Sequence, residues 1–268
     1  MQNAKINTSM KNKMKQLLLT FTLVVALSTS SFSQFCLPNG ITFHNQNEID
    51  SFQTNYPNCS IIEGDVEISD FTITNLYGLS ALTAIEGGLL IRYQQNLNSL
   101  EGLNNLNTVD KYLTIHDCRE LGDLRGLNSL TSVGEALRII NNKSLQNVNG
   151  LNNLVTIDST FEISDNDFLT ETTGLDNLQS IGGDLLITNN DRLESVTGFS
   201  VLNTIGGKLL IFSDDVLDNL TGLDSLTSIG NDLHIRMTVL NSLEGLENVD
   251  SIGGIFTSKA AVFKTLKA

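Results

Sequence analysis

The sequence has no tryptophan, only two prolines and three cysteines among 268 residues. So few prolines exclude a collagen-like chain or a Pro-rich linker, even with 21 glycines present. Basic residues are scarce, at 16 against 30 acidic. Four of the 16 (Lys5, Lys11, Lys13, Lys15) precede Gln34, in a stretch that carries no acid; the remainder has a charge of −18. A surface that acidic repels phosphate backbones and anionic lipid, so no nucleic-acid partner is expected. Histidine occurs three times, at His44, His116 and His234. With 40% hydrophobic and 17% charged residues, the chain is neither disordered nor a membrane bundle.

Long apolar runs are also lacking. The run Leu17–Leu27 is too short to span a bilayer. It follows the basic stretch Lys11–Lys15 and precedes Ser31-Phe32-Ser33, with small side chains at −3 and −1. That order predicts a signal peptide over 1–33, cleaved before Gln34, with Met10 or Met14 as alternative starts. Cys36 lacks the small residues of a lipoprotein box before it, so no lipid anchor is expected, and no other apolar run is long enough for a transmembrane helix, so no membrane insertion of the mature chain is expected. In an oxidising compartment Cys36 and Cys59 are expected to pair and Cys118 to be left over.

What is abundant is repetition. Glycine followed by an apolar residue recurs at Gly78, Gly102, Gly126, Gly150, Gly174, Gly198, Gly222 and Gly245, six intervals of 24 and one of 23. Such a period marks a repeat architecture. With glycine as position 0, positions 11 and 13 give an L-x-I core, as in Leu185 and Ile187, alternating with the period of a half-buried strand. The pair ahead of it carries turn residues such as Gly182-Gly183. Apolar residues at positions 1, 4, 7, 19 and 22 cannot be buried within one repeat and require neighbours stacked above and below. The expected fold is mainly β: a right-handed parallel β-helix or leucine-rich-repeat-like solenoid of about nine 24-residue coils over 62–258. A short α/β cap over 34–61 precedes it, with a strand at 41–43 and a helix starting near Asn47. Positions 259–268 form a tail, either a poor cap or the mark of a chain cut short.

Two columns have a structural reading. Position 16 holds Asn142, Asn166 and Asn190, with Gln94, Cys118, Asp214 and Thr238 as variants, and predicts a buried ladder bonding coil to coil. Position 6 holds Ser or Thr, as in Thr108, Ser132 and Thr156, and predicts hydroxyl hydrogen bonds between coils.

The I-x-G-x-L-x-I core and the turn that follows it resemble the receptor L domain. The opening, Cys36 with Pro38-Asn39-Gly40 and then Tyr56-Pro57-Asn58-Cys59, is similar to that of secreted bacterial proteins built from 24-residue L-domain-like repeats. The resemblance covers about 36–258. It implies a solenoid of the kind that forms ligand-binding lobes; with the repeat scaffold and the export signal, the expected function is a secreted or cell-surface, non-catalytic binding or adhesion module, with an extracellular protein or glycan as partner.

Residue chemistry points the same way. No nucleophile triad, metal-binding helix motif, phosphate loop or dinucleotide fingerprint is present, and no cofactor or metal is expected. His116 and His234 lie five coils apart, about 24 Å at the usual strand spacing, and cannot share a metal or a proton. Asp165/Asp167 and Asp214/Asp215/Asp218 are expected to be solvated turn carboxylates. On the outward row of the strands, Leu186, Leu210 and Phe212 fall on adjacent coils, and Ile140 lies in the same row. These four are the expected ligand-binding residues, because contiguous exposed apolar groups mark interaction sites. Two rival functions remain at this point. One is a polysaccharide-active enzyme using Arg138, Glu162 and His116. The other is an ice-binding solenoid using the hydroxyl column.

Overall fold

A computed structural model describes residues 34–236, 239–240 and 242–258. The expected signal peptide, the tail and Met237, Thr238 and Asn241 lie outside these residues. Two ten-stranded parallel sheets run the length of the repeat array. One is built of two-residue strands such as Ser180–Ile181, the other of four-residue strands such as Leu185–Thr188. Each strand pairs with its equivalent in the next coil, Leu137 with Phe161 and Phe161 with Leu185, so the register advances by one full repeat per coil. This is a β-solenoid, and the alternation of the L-x-I core is its cause. In the longer strands positions 11 and 13 of the repeat point inward and are fully buried, while positions 12 and 14 face out.

The expected cap is woven into both sheets. Gln34–Cys36 pairs with Cys59–Ile62, and Ile41–Phe43 pairs with Val66–Ile68, adding a rung before those that the repeat announces. The Cys36–Cys59 disulfide joins the first two strands of the short-strand sheet, with Cα atoms 5.7 Å apart. Between these strands lie α1 (Gln46–Asp50) and α2 (Phe52–Asn55). The Asn45 side chain accepts from Glu48 N, and the Glu48 carboxylate accepts from His44 N at 2.7 Å, a reciprocal cap that starts α1. Ile49 and Phe52 are fully buried, and Phe52 meets the Phe43 ring edge-on at 5.7 Å.

The repeat glycines are explained by backbone contact. At Gly150 φ is +118°, and a Cβ would stand 2.0 Å from the carbonyl oxygen of Leu124 in the preceding coil. A second turn follows several of the four-residue strands. Asp117, Asn141, Asp165 and Asn189 adopt φ of 55° to 58°, a left-handed conformation that Asn and Asp tolerate best.

The position-16 column is a buried ladder. Asn166 Oδ1 accepts from Asn142 N at 3.0 Å, and Asn166 Nδ2 donates to Ile139 O at 2.9 Å. Asn142 and Asn190 make the corresponding bonds to the coils before them. Cys118 occupies its rung as a free, fully buried thiol whose pKa burial pushes up to about 12. The position-6 hydroxyls behave otherwise than expected. Hydroxyls at neighbouring positions bond between coils instead: one residue earlier, Thr131 donates to Asn107 O and Thr227 to Asn203 O, each at 3.1 Å. Position 6 points outward, because the inward place in its two-residue strand belongs to the apolar position 7.

Asp214 also departs from the expectation of a solvated carboxylate. It is fully buried as a ladder rung, and its Oδ1 accepts from both the backbone N and Nδ2 of Asn190. Its Oδ2 has no hydrogen-bond partner among the described residues. Burial pushes this carboxyl up to about 7, against the lowering effect of the Asn190 bonds; Asp191 and Asp215 add to the rise.

Candidate functional site

The outward face of the long-strand sheet carries the site residues expected from the sequence, and register decides which of them meet. Leu186 pairs with Leu210, and Thr188 with Phe212, so Leu186, Leu210 and Phe212 are neighbours across two coils. All three are half-buried. Ile140 stands apart. It pairs with His116 on one side and Ser164 on the other, three coils from Phe212 or about 14 Å. The apolar patch is therefore built of Leu186, Leu210 and Phe212 alone, flanked on its Ile140 side by polar side chains.

Arg138, Glu162 and His116 do not converge. Arg138 Nε lies 3.7 Å from Glu162 Oε2, and Glu162 Oε1 accepts from Ser164 Oγ at 3.0 Å. His116 instead packs against the Tyr93 ring at a tilt of 56°, with 5.6 Å between centroids. Arg138 and Glu162 therefore partner each other, while the contact recorded for His116 is with Tyr93. Further along, His234 Nε2 lies 3.3 Å from Asp232 Oδ2, while its Nδ1 bonds the hydroxyl of Thr257 in the next coil. Asp232 is held below the usual carboxylate range, first by the backbone N–H of Ile255 and also by His234. This chain of contacts ties the last two described rungs together. Among the described residues no group of three or more His, Cys, Asp or Glu could hold a metal ion.

The face has a second feature, at its other end. A cavity of about 280 Å³ opens where the first three long strands begin, lined in part by Asn39, Thr42, Asp65, Glu67, Leu90 and Tyr112. Tyr112 reaches it because Gly88 has no side chain. A Cβ at Gly88 would stand 2.3 Å from Cζ of the Tyr112 ring, so the ring lies across the preceding coil. Burial raises the Tyr112 phenol above its ordinary value, and the charge and hydrogen bond of Asp65 add to it. Glu67 accepts from Nε and Nη2 of Arg92 at 3.0 and 2.8 Å. Burial pushes the Glu67 carboxyl up, but hydrogen bonds from Ser69 and Arg92 and the Arg92 charge outweigh it and hold the group low. The Arg92 guanidinium also lies 5.2 Å from the Tyr93 ring. The sequence does carry a signal for this cavity: one large aromatic at position 10, opposite a glycine at the same position one coil earlier.

The family model of the receptor L domain matches residues 58–121. That stretch contains Glu67, Gly88, Leu90, Arg92 and Tyr112, and ends before the apolar patch begins. No curated protein and no solved structure matches the chain. No helix among the described residues is long and apolar enough to cross a membrane.

Proposed function

We propose that this chain is an exported, non-catalytic recognition module that binds an extracellular protein or glycan through the outward face of its long-strand sheet. The observation that carries this reading is the contiguity of Leu186, Leu210 and Phe212 on a face whose other outward side chains are largely polar. The receptor L domain match supports it, since that family is an extracellular ligand-binding module without catalytic activity. The disulfide supports an oxidising location. Kinship with secreted bacterial repeat proteins, cleavage before Gln34 and a role in adhesion belong to the same proposal.

The test is an array of glycans and cell-surface proteins probed with the purified chain and assayed for released product. Binding without product is expected. Leu210→Ser with Phe212→Ser should weaken the binding at least tenfold, and unchanged affinity would remove the patch from the reading. Released product would instead overturn the non-catalytic assignment and return attention to Arg138, Glu162 and His116.

A further inference from the structure

We propose that the cavity beneath Tyr112 is a subsite for a single neutral pyranose ring. This deepens the recognition reading above, resting on it for the role of the sheet face and naming a ligand class for a part of that face distant from Leu210. Four observations carry it. The first is size: about 280 Å³ lies just below the usual range of ligand pockets, room for one sugar-sized molecule and not for a folded partner. The second is charge. The cavity is lined by two carboxylates, Asp65 and Glu67, but each has a cation beside it. Arg92 bonds Glu67 at 2.8 Å, and Lys111 Nζ lies 3.8 Å from Asp65. Charge balanced in this way favours a neutral ligand over an amine or an acid, while the carboxylate oxygens remain strong acceptors for hydroxyl donors.

The third observation is unused hydrogen-bonding capacity. The side chains of Asn39 and Thr42 make no hydrogen bond among the described residues. Asn39 offers an amide donor and acceptor, and Thr42 a hydroxyl that does both. A sugar ring presents vicinal hydroxyls that each donate and accept, which suits acceptor-only carboxylates set beside an amide and a hydroxyl. The fourth is the apolar wall. Leu90 and the half-buried Tyr112 ring supply a surface for the C–H face of a pyranose, and the Tyr112 ring can lie there because residue 88 carries no Cβ to push it aside. Simple ions and amines lack the apolar C–H face and the vicinal hydroxyls; a neutral sugar matches all four features.

The experiment is a titration of the isotope-labelled full chain, followed by amide chemical shifts, with methyl glycosides of glucose, galactose, mannose and N-acetylglucosamine. At least one is expected to give saturable shifts confined to the amides of Thr42, Glu67, Leu90 and Tyr112. Tyr112→Ala should weaken that binding tenfold or more, and Tyr112→Phe should keep it within a few-fold. Gly88→Val should also abolish it, by displacing the ring. Unchanged amide shifts in the rungs from Ile139 onward show that each variant is folded. Leu210→Ser with Phe212→Ser should leave sugar binding intact, so failure of the patch and failure of this subsite read differently. The proposal is overturned if none of the four glycosides shifts these amides at millimolar concentration, or if methylammonium or acetate binds there more tightly than every glycoside.

Discussion

At the residue scale, Asp214 separates what a repeat pattern demands from what one side chain supplies. The Asn rungs donate through Nδ2 to an isoleucine carbonyl in the coil before, as Asn190 does to Ile163. Asp214 offers an oxygen there, and as a carboxylate it has no proton to give. Its folded pKa of about 7 stands above the ordinary 3.8. The folded state therefore holds the proton more tightly, and the associated stability is complete below the unfolded value and lost as pH rises through about 7. Asp214→Asn restores the donor at every pH. The variant should exceed the parent by about 2–4 kcal/mol at pH 8, with the gap closing toward pH 4, as read by denaturant unfolding. A pH-independent difference would mean that Asp214 does not titrate in this range. Gly150 is a second residue of this kind. Gly150→Ala meets both the +118° backbone and the Leu124 carbonyl, and should cost about 2 kcal/mol or more in the same assay.

At the scale of the strand and its turns, most of the inward surface is legible in the sequence. Leucine and isoleucine at positions 11 and 13 alternate with outward residues, and one face of a strand must be buried, so the pattern has a single solution. The ladder is equally readable, because an asparagine recurring amid apolar columns is stable only if its amide atoms are bonded. Replacing Asn166 by Leu should cost about 2–4 kcal/mol, since Asn142 N loses its acceptor and Ile139 O a donor at a fully buried site. A loss under about 0.5 kcal/mol would show that water replaces those bonds. The outward surface is less legible. Position 6 looks like a bonding column because its residue type is uniform, yet hydroxyl geometry gives the bond to position 5. The Tyr112 cavity is hidden for another reason: it depends on several coils and the cap together, and no one repeat contains it.

At the scale of the whole molecule, each rung touches only the rung before and after it, so stability is a sum of local couplings rather than one cooperative core. The Cys36–Cys59 disulfide acts on the first two rungs, closing a loop with a sequence separation of 23. In the chain-entropy account such a loop is worth about 3 kcal/mol. Asn39 and Thr42, which line the cavity, lie inside that loop. Leu186, Leu210 and Phe212 lie five or more rungs beyond it. Replacing both cysteines by serine should therefore loosen the N-terminal rungs alone. Hydrogen exchange should quicken at the amides of Phe43, Ile62 and Val66, and remain slow at Ile139, Ile163 and Ile187. Sugar binding at the cavity should be lost while binding through the apolar patch persists, which would establish the two ends of the face as independent recognition surfaces. Equal acceleration of exchange along the whole array would show instead that the solenoid unfolds as one unit, and that the cavity and the patch stand or fall together.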